Sequence, residues 1–317
     1  MLLLSVSFLV ACGKEATTDQ STEKVEEAKT EVSDYPKTFI DGRGVEVNLE
    51  EKPSRIVSTT LAMDEYLLDL VDPERIVAVT KISTDPGISN VADIAESIET
   101  KIETVTTELV LSLNPDLVIV PTYVNPEVLE QLDDAGVNTY QLKDDASFAG
   151  ILAGLEEVGA LVGEEEKAAE IVADIKDRMA ALEEKAAKET DKKRVLYWTQ
   201  YNSSVTDNTS IGEMITLAGG INVVTEAGIT GDEFPDYPNL SKEKLVELNP
   251  DVIITSDWQG DGSEATFIDE WKNDPALQNV NAFKNNEVHA IDSANLTTAA
   301  HFVIEGAEDI YNVLYGE

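Results

Sequence analysis

Basic residues are scarce in this chain of 317 residues. It contains 23 Lys and Arg against 62 Asp and Glu, which gives a formal net charge of −39 at pH 7. A surface this acidic repels the phosphates of nucleic acids and of anionic lipids, so the charge balance argues against nucleic acid as a partner. Only five arginines are present, namely Arg43, Arg55, Arg75, Arg178 and Arg194.

Histidine and the common enzyme motifs are also scarce or missing. The two histidines, His289 and His301, both lie in the second half, which argues against a zinc or manganese site spanning the molecule. There is no Gly-x-Ser-x-Gly, no P-loop and no Gly-x-Gly-x-x-Gly. Carboxylate pairs such as Asp64-Glu65 and Asp232-Glu233 are interpreted as parts of a solvated face. We therefore expect that the protein is not an enzyme and that it has no cofactor. The alternative is a two-domain α/β enzyme with its active site in a cleft.

The single cysteine, Cys12, excludes intrachain disulfides. It follows a largely apolar run over residues 1–11, which is shorter than the roughly 20 residues of a membrane-spanning helix and fits a secretory signal. The run ends in Leu-Val-Ala-Cys-Gly, which resembles a bacterial lipobox, in which the cysteine is lipidated after cleavage. The alternative is a buried cysteine in a hydrophobic N-terminus. We expect residues 1–12 to be the signal and lipobox, and the protein to be anchored by lipid to the outer face of the cell membrane.

Residues 13–34 are rich in Thr, Glu and Lys and poor in apolar side chains. Such a segment cannot bury enough surface to offset its ordering entropy, so it is predicted to be a disordered tether.

The remaining sequence alternates between apolar strands and helical stretches. The first part predicts a hairpin over 38–47, a helix over 62–71 and strands over 55–59, 76–79, 117–120 and 138–142. The last part predicts helices over 210–217 and 300–314 and strands over 194–198, 252–254 and 287–291. Strands separated by helices are typical of βαβ units in a mainly parallel sheet, so the fold class is α/β.

A long amphipathic helix is predicted over residues 164–189, between these two parts. At about 1.5 Å per residue it would extend roughly 39 Å, which is longer than one small lobe needs. We interpret it as a connector rather than as half of a coiled coil. The predicted domains are an N-terminal lobe over 35–163, the connecting helix over 164–190 and a C-terminal lobe over 191–317.

An internal repeat relates the two lobes. Residues 107–119 and 242–254 each begin a short helix with a glutamate, end it with Leu-Asn-Pro-Asp and continue into an apolar strand. The proline ends the helix because it lacks an N–H and restricts the residue before it. Glu108 and Glu243 each stand seven positions before that proline. The repeat therefore predicts two equivalent lobes.

The repeat, the long helix and the Pro-Ser-Arg-Ile-Val segment at 53–57 resemble the periplasmic-binding-protein family for ferric siderophores, haem and cobalamin, over about residues 35–317. The resemblance implies two Rossmann-like α/β lobes joined by a single long α-helix, with the ligand cleft between them. It implies a monomeric substrate-binding lipoprotein of an ABC importer. It also implies that Glu108 and Glu243 contact arginines of the permease transmembrane subunits; their alternative role is to stabilise helix N-termini.

Ligands of α/β lobes bind beyond the carboxyl ends of the strands. The predicted strands place eight residues there, namely Thr59, Thr60, Thr122, Tyr123, Trp198, Tyr201, Asp257 and Trp258, of which all but Thr122 and Asp257 are taken as candidate ligand contacts. The family resemblance adds Tyr237 and His301, although Trp198 could equally be a core residue and His301 a surface or capping residue.

The expected ligand is a metal chelate. Catecholate siderophores carry several negative charges and need clustered Arg or Lys, which the five dispersed arginines do not supply. A neutral or cationic chelate such as a ferric hydroxamate is therefore favoured, with cobalamin and haem as alternatives.

Overall fold

The computed structural model describes residues 35–143, 145–257 and 265–316. The predicted signal, Cys12, the tether and Trp258 lie outside these described residues.

The N-terminal lobe follows a short antiparallel hairpin, β1 (Lys37–Ile40) and β2 (Glu46–Leu49). Its strands are β3 (Ile56–Ser58), β4 (Ile76–Thr80), β5 (Thr100–Ile102), β6 (Leu117–Val120) and β7 (Thr139–Gln141). Its helices are α1 (Leu61–Leu70), α2 (Ala92–Ala95), α3 (Thr107–Ser112), α4 (Pro126–Asp134) and α5 (Phe148–Val162), with 3-10 turns at Pro73–Arg75 and Lys81–Thr84.

The connector is α6 (Glu165–Ala186). The strands of the C-terminal lobe are β8 (Arg194–Tyr197), β9 (Ile221–Asn222), β10 (Val252–Asp257) and β11 (Val288–Asp292). Its helices are α7 (Ser210–Leu217), α8 (Val223–Glu226), α9 (Lys242–Leu248), α10 (Ala265–Asn273), α11 (Asn281–Lys284), α12 (Ser293–Leu296) and α13 (Val303–Tyr315).

The predicted α/β class is confirmed, and each strand and helix predicted from the sequence is present within a few residues of its expected bounds. The sequence analysis did not predict the strands β5 and β9 or the helices α2, α4, α5, α8, α10, α11 and α12. Most of these elements are short, but α4, α5 and α10 have 9, 15 and 9 residues. The first sheet has the parallel order β5-β4-β3-β6-β7, and the second has the parallel order β11-β10-β8-β9.

Each sheet contains a point at which the strand order reverses. β3 pairs with β4 on one side and β6 on the other, and β8 pairs with β9 and β10. The loops that leave neighbouring strands at such a point diverge, and the crevice between them is where open α/β sheets bind ligands. The expected ligand positions are therefore the loops after β3 and β6 and the loops after β8 and β10.

The sequence repeat is also a structural repeat. Asn114 and Asn249 both adopt the left-handed backbone conformation, with φ of 48° and 45°. The guanidinium of Arg55 donates to the Asn114 carbonyl at 2.9 Å, and that of Arg194 donates to the Asn249 carbonyl at 3.0 Å. These carbonyls follow α3 and α9, so each arginine binds the C-terminal end of the equivalent helix.

The connector packs against both lobes. Its buried residues Val172, Ile175 and Leu182 belong to one continuous apolar cluster that includes Leu155 of α5 and Ile304 of α13. Because one core runs through both lobes and the helix between them, a large rotation of one lobe would have to expose apolar surface.

Arg178 adds a polar contact to this packing. It donates from α6 to Glu305 and Glu308 of α13 at 2.8 and 2.7 Å. The hydrogen bonds to these two carboxylates raise the pKa of the Arg178 guanidinium, so the connector side of each ion pair stays charged.

Trp198 lies in the core of the C-terminal lobe, and its placement among the cleft residues was wrong. The side chain is fully buried and stacks on Trp271, with ring centroids 4.3 Å apart. Trp198 directly follows β8, but its ring points into the apolar cluster that includes Leu245 and Ile253. Strand position alone does not tell which side of the sheet a residue faces at the strand end.

Truncation of this ring should destabilise the protein. We expect Trp198→Ala to lower the free energy of unfolding by about 3–5 kcal/mol, because it leaves a cavity beneath Trp271. Urea denaturation followed by circular dichroism measures the change. Tyr201→Ala, which truncates a largely exposed aromatic close by in the sequence, should change it by only about 0.5 kcal/mol. Equal effects of the two substitutions would contradict the assignment of Trp198 to the core.

Candidate ligand-binding cleft

The N-terminal half of the cleft lies at the reversal point of the first sheet. It is a cavity of about 280 Å³. It is lined by residues after β3 and the start of α1, residues after β6 and residues after β7, which include Thr60, Met63, Tyr66, Pro121, Thr122, Tyr123, Leu142, Lys143 and Asp145. The loops after β3 and β6, which the reversal of strand order predicts to bind ligand, both line this half.

The C-terminal half lies at the corresponding point of the second sheet. Its cavity has a volume of about 380 Å³. Hydroxyl and aromatic side chains dominate the lining, which includes Tyr197, Thr199, Tyr201, Ser203, Ser210, Tyr237, Thr255, Ser256 and Phe267. The Thr255 hydroxyl oxygen is buried and has no hydrogen-bond partner among the described residues.

The loop between α12 and α13 joins the two halves. Thr297 and Ala299 line both cavities, as does Ala146 from the N-terminal lobe. Between them, Thr298 donates its hydroxyl to the Glu65 carboxylate of α1 at 2.8 Å. The cleft therefore has a common floor that is fixed to the N-terminal lobe. Sequence reasoning missed this loop because nothing in Leu-Thr-Thr-Ala-Ala is typical of a ligand site.

Two of the predicted residues line the N-terminal half of the cleft, and a third, Thr59, does not. Tyr123 lines it with a mostly exposed ring, and Thr60 lines it while accepting the N–H of Met63 as the N-cap of α1. Thr59 lies behind it: the side chain is buried, and its hydroxyl donates to the Ile119 carbonyl at 2.8 Å. Thr59 is thus a structural residue of the sheet, and its prediction as a ligand contact was wrong.

Two predicted tyrosines line the C-terminal half. Tyr201 and Tyr237 are both substantially exposed and lie at the same cavity. Together with Tyr123 they border the cleft from both lobes with aromatic rings that carry a polar tip. Their contact with ligand stays a prediction.

His301 does not line either half of the cleft, and its prediction as a ligand contact was wrong. The ring is buried, lies 5.8 Å from the Tyr66 ring centroid and has its Nε2 2.7 Å from the Asp69 carboxylate. Asp69 belongs to α1, so this contact joins the lobes. The hydrogen bond to His301 lowers the pKa of the Asp69 carboxyl, which keeps it ionised.

The interpretation of Asp64-Glu65 as solvated was also wrong. Both carboxyl groups are fully buried in α1. Glu65 accepts from the backbone N–H of Asn90 at 3.0 Å as well as from Thr298, while Asn90 donates to the Ala294 carbonyl of α12 at 2.7 Å. Burial raises the pKa of the Glu65 carboxyl. Glu65 is therefore an inter-lobe contact next to the cleft and not a surface charge.

Charged side chains are few among the described residues that line the cleft. Among its described lining residues, Lys143 and Asp145 are the charged ones in the N-terminal half, and the C-terminal half has none. The described residues also contain no cluster of three or more His, Cys, Asp or Glu that could hold a metal ion.

Glu108 and Glu243 are placed alike in the two lobes. Each is exposed and is the second residue of its helix, after the capping hydroxyl of Thr106 or Ser241. No Lys or Arg of the described residues forms an ion pair with either carboxylate. Hydrogen bonds from the Glu243 backbone and the Ser241 hydroxyl lower the pKa of the Glu243 carboxyl.

The chain belongs to the periplasmic-binding-protein family, whose model matches residues 56–294. This is a family of extracytoplasmic solute-binding proteins and not of enzymes, and the chain is a substrate-binding protein of the ABC-importer type. No helix in the described ranges combines the length and apolar character needed to cross a bilayer.

Similar proteins carry several ligand descriptions. The cobalamin-binding protein of Halobacterium salinarum is 26% identical, with 89% of this chain and 74% of that protein covered. The uncharacterised ABC transporter substrate-binding lipoprotein YvrC of Bacillus subtilis is 27% identical, with 99% and 95% covered. The apo structure of the periplasmic haem-binding protein RhuT from Roseiflexus has a TM-score of 0.70 and 25% identity, with 83% of this chain and 98% of that chain covered.

Asp64 should make the stability depend on pH. Burial raises the pKa of its carboxyl from 3.8 to about 6. Such a group stabilises the fold below its unfolded pKa, and this contribution is lost as the pH rises through about 6. Relative to Asp64→Asn, the free energy of unfolding of the wild type should fall by on the order of 2 kcal/mol between about pH 4 and pH 7. Urea denaturation at several pH values measures it.

The matched control is Asp93→Asn, which changes an exposed aspartate of α2. Its pH profile should run parallel to that of the wild type. If the free energy of unfolding of Asp64→Asn depended on pH in the same way as that of the wild type, the pKa of the buried Asp64 carboxyl would not be raised as described.

Proposed function

We propose that the protein captures a large metal chelate of low net charge, with cobalamin as the first candidate, and delivers it to the transmembrane subunits of an ABC permease. The observation that carries the proposal is the described lining of the cleft, in which Lys143 and Asp145 are the charged residues, Tyr123, Tyr201 and Tyr237 form the border and hydroxyl groups are abundant. A corrin ring is broad and carries neutral amide groups. Aromatic rings suit its faces and edges, and hydroxyl groups suit its amides.

The neutral lining of the C-terminal half supports this choice. Its hydroxyl groups include that of Thr255, which is buried and has no partner in the part of the chain that the structure describes, and that of Ser256, which lies 3.4 Å from the Tyr197 hydroxyl. Hydroxyl groups donate to and accept from amides equally well, whereas a carboxylate ligand would leave its charge unpaired there. The similarity to a cobalamin-binding protein over most of the chain also supports it.

Haem fits the cleft less well. Its two propionates need cations, and Lys143 is the single Lys or Arg among the described lining residues. His301 is held by Asp69 away from both cavities, so an axial ligand for the haem iron would have to come from Met63 or from a tyrosine of the cleft. A ferric hydroxamate is the second candidate, because it has little net charge, as the cleft does, and needs no residue of the protein to hold the metal.

Titration of the purified full-length chain with cyanocobalamin, a ferric hydroxamate, haem and a ferric catecholate tests the ligand class. We expect cyanocobalamin to bind with a submicromolar Kd by isothermal titration calorimetry. Tyr237→Ala should weaken this binding about tenfold, because it removes an aromatic contact. Phe234→Ala, which truncates an exposed ring outside both cavities, should leave it unchanged. Tight binding of haem or the catecholate alone would refute the low-charge assignment.

Delivery is proposed to use Glu108 and Glu243, with Cys12 as the lipid anchor. Exposed carboxylates without a cation of their own chain are suited to bidentate contact with arginines of a partner.

Replacement of both glutamates should separate delivery from capture. Glu108→Ala with Glu243→Ala should abolish import into cells while leaving the Kd for cyanocobalamin unchanged, because neither residue lines the cleft. Uptake of radiolabelled cyanocobalamin measures import. Glu166→Ala with Glu183→Ala removes two exposed carboxylates of the connecting helix, outside α3 and α9, and serves as the control. If cells with the Glu108→Ala, Glu243→Ala variant imported cyanocobalamin at the wild-type rate, these glutamates would be excluded from docking.

A further inference from the structure

We infer that Leu111 and Val246 form the apolar part of two equivalent docking patches, one on each lobe, for the permease. Each patch consists of a helix glutamate and the aliphatic residue three positions later: Glu108 with Leu111, and Glu243 with Val246. The inference rests on the proposed delivery to a permease and adds the residues that would give each contact its apolar area.

Leu111 and Val246 occupy the same position of the repeat and are exposed to the same extent. Leu111 is 42% exposed and Val246 is 39% exposed, whereas the residues before them, Val110 and Leu245, are fully buried. Residues three apart lie on one face of a helix, so each aliphatic side chain lies beside its glutamate. Both helices thus present one carboxylate and one apolar group to solvent.

Isolated exposed aliphatic residues are ordinary on protein surfaces and carry no argument by themselves. Ile82 and Ile94, which are 45% and 39% exposed, are examples in the N-terminal lobe that lie outside the repeat. The occurrence of the same pair in both lobes is what points to a partner. A partner that fits both patches must offer the same surface twice, as two copies of one permease subunit would.

The two patches are held in the same way. Thr106 and Ser241 cap the two helices with side-chain hydroxyls, and Arg55 and Arg194 bind their last carbonyls. Ordering of the helices therefore precedes docking, which lowers the entropic cost of binding.

Both patches face the side of the molecule on which the cleft opens. A helix that precedes a parallel strand runs opposite to it, so its N-terminus lies at the carboxyl edge of the sheet. α3 precedes β6 and α9 precedes β10, and the cleft loops leave these same strands. A partner that covered both patches would therefore also cover the cleft, where it could receive the ligand.

The chemistry of the patches defines the partner surface. Each carboxylate lacks an ion pair within the described residues, so the partner should supply an arginine or lysine. Leu111 and Val246 should contact an apolar depression beside that cation. Their burial would desolvate the ion pair next to them, which strengthens it.

The test is uptake of ⁵⁷Co-labelled cyanocobalamin by cells in which the variant replaces the wild-type chain, at an expression level where uptake is proportional to the amount of protein. Leu111→Asn with Val246→Asn should lower the uptake rate about tenfold. The Kd of the purified full-length variant for cyanocobalamin should stay unchanged. Leu111→Met with Val246→Ile, which keeps the apolar area, should retain uptake within about twofold.

The control is Ile82→Asn with Ile94→Asn, which makes two equally exposed aliphatic residues polar elsewhere, and it should import at the wild-type rate. Wild-type uptake in the Leu111→Asn, Val246→Asn variant, together with loss of uptake in the Glu108→Ala, Glu243→Ala variant, would overturn the inference and leave the proposed function standing. Absence of cyanocobalamin binding and uptake in the wild type would instead overturn the proposed ligand and, with it, the delivery on which the patches rest.

Discussion

The hydrogen bond between Thr298 and the buried carboxylate of Glu65 fixes the geometry on which the cleft depends. It holds the loop of Thr297 and Ala299 against the N-terminal lobe, and this loop lines both cavities. His301 and Asp69 form a second contact between the lobes on the same helix, α1. A buried carboxylate is costly unless it is fully hydrogen-bonded, so these contacts favour one relative placement of the lobes.

This polar contact is supported by the apolar core that runs through the connector. Together they indicate a receptor that keeps its shape, in which recognition depends on what the cleft presents and less on closure around the ligand. What the cleft presents is mainly tyrosine rings and hydroxyl groups.

The sequence repeat predicted more of the structure than any single motif did. It correctly indicated two equivalent α/β lobes. The left-handed conformation of Asn114 and Asn249 was not predicted, because a residue before proline ordinarily favours an extended conformation. Tyr123 and Tyr201 were predicted at the cleft because they follow predicted strands, and Tyr237 was predicted there from the family resemblance. Both kinds of inference use only the position of a residue along the chain. Thr59, Trp198 and His301 were misplaced, since the direction of a side chain at a strand end or a helix start depends on packing that chain order does not encode.

The order of strands and helices, the two lobes, the connector and the exposed position of Glu108 and Glu243 were therefore determined by local pattern alone. Apolar periodicity, capping residues and proline act over a few residues, and they can be read without knowing the fold. The burial of Asp64 and Glu65 and the floor of the cleft were decided by tertiary structure. Glu65 and Thr298 are 233 positions apart, and only the packing of one lobe on the other brings such partners within hydrogen-bonding distance and withdraws them from water.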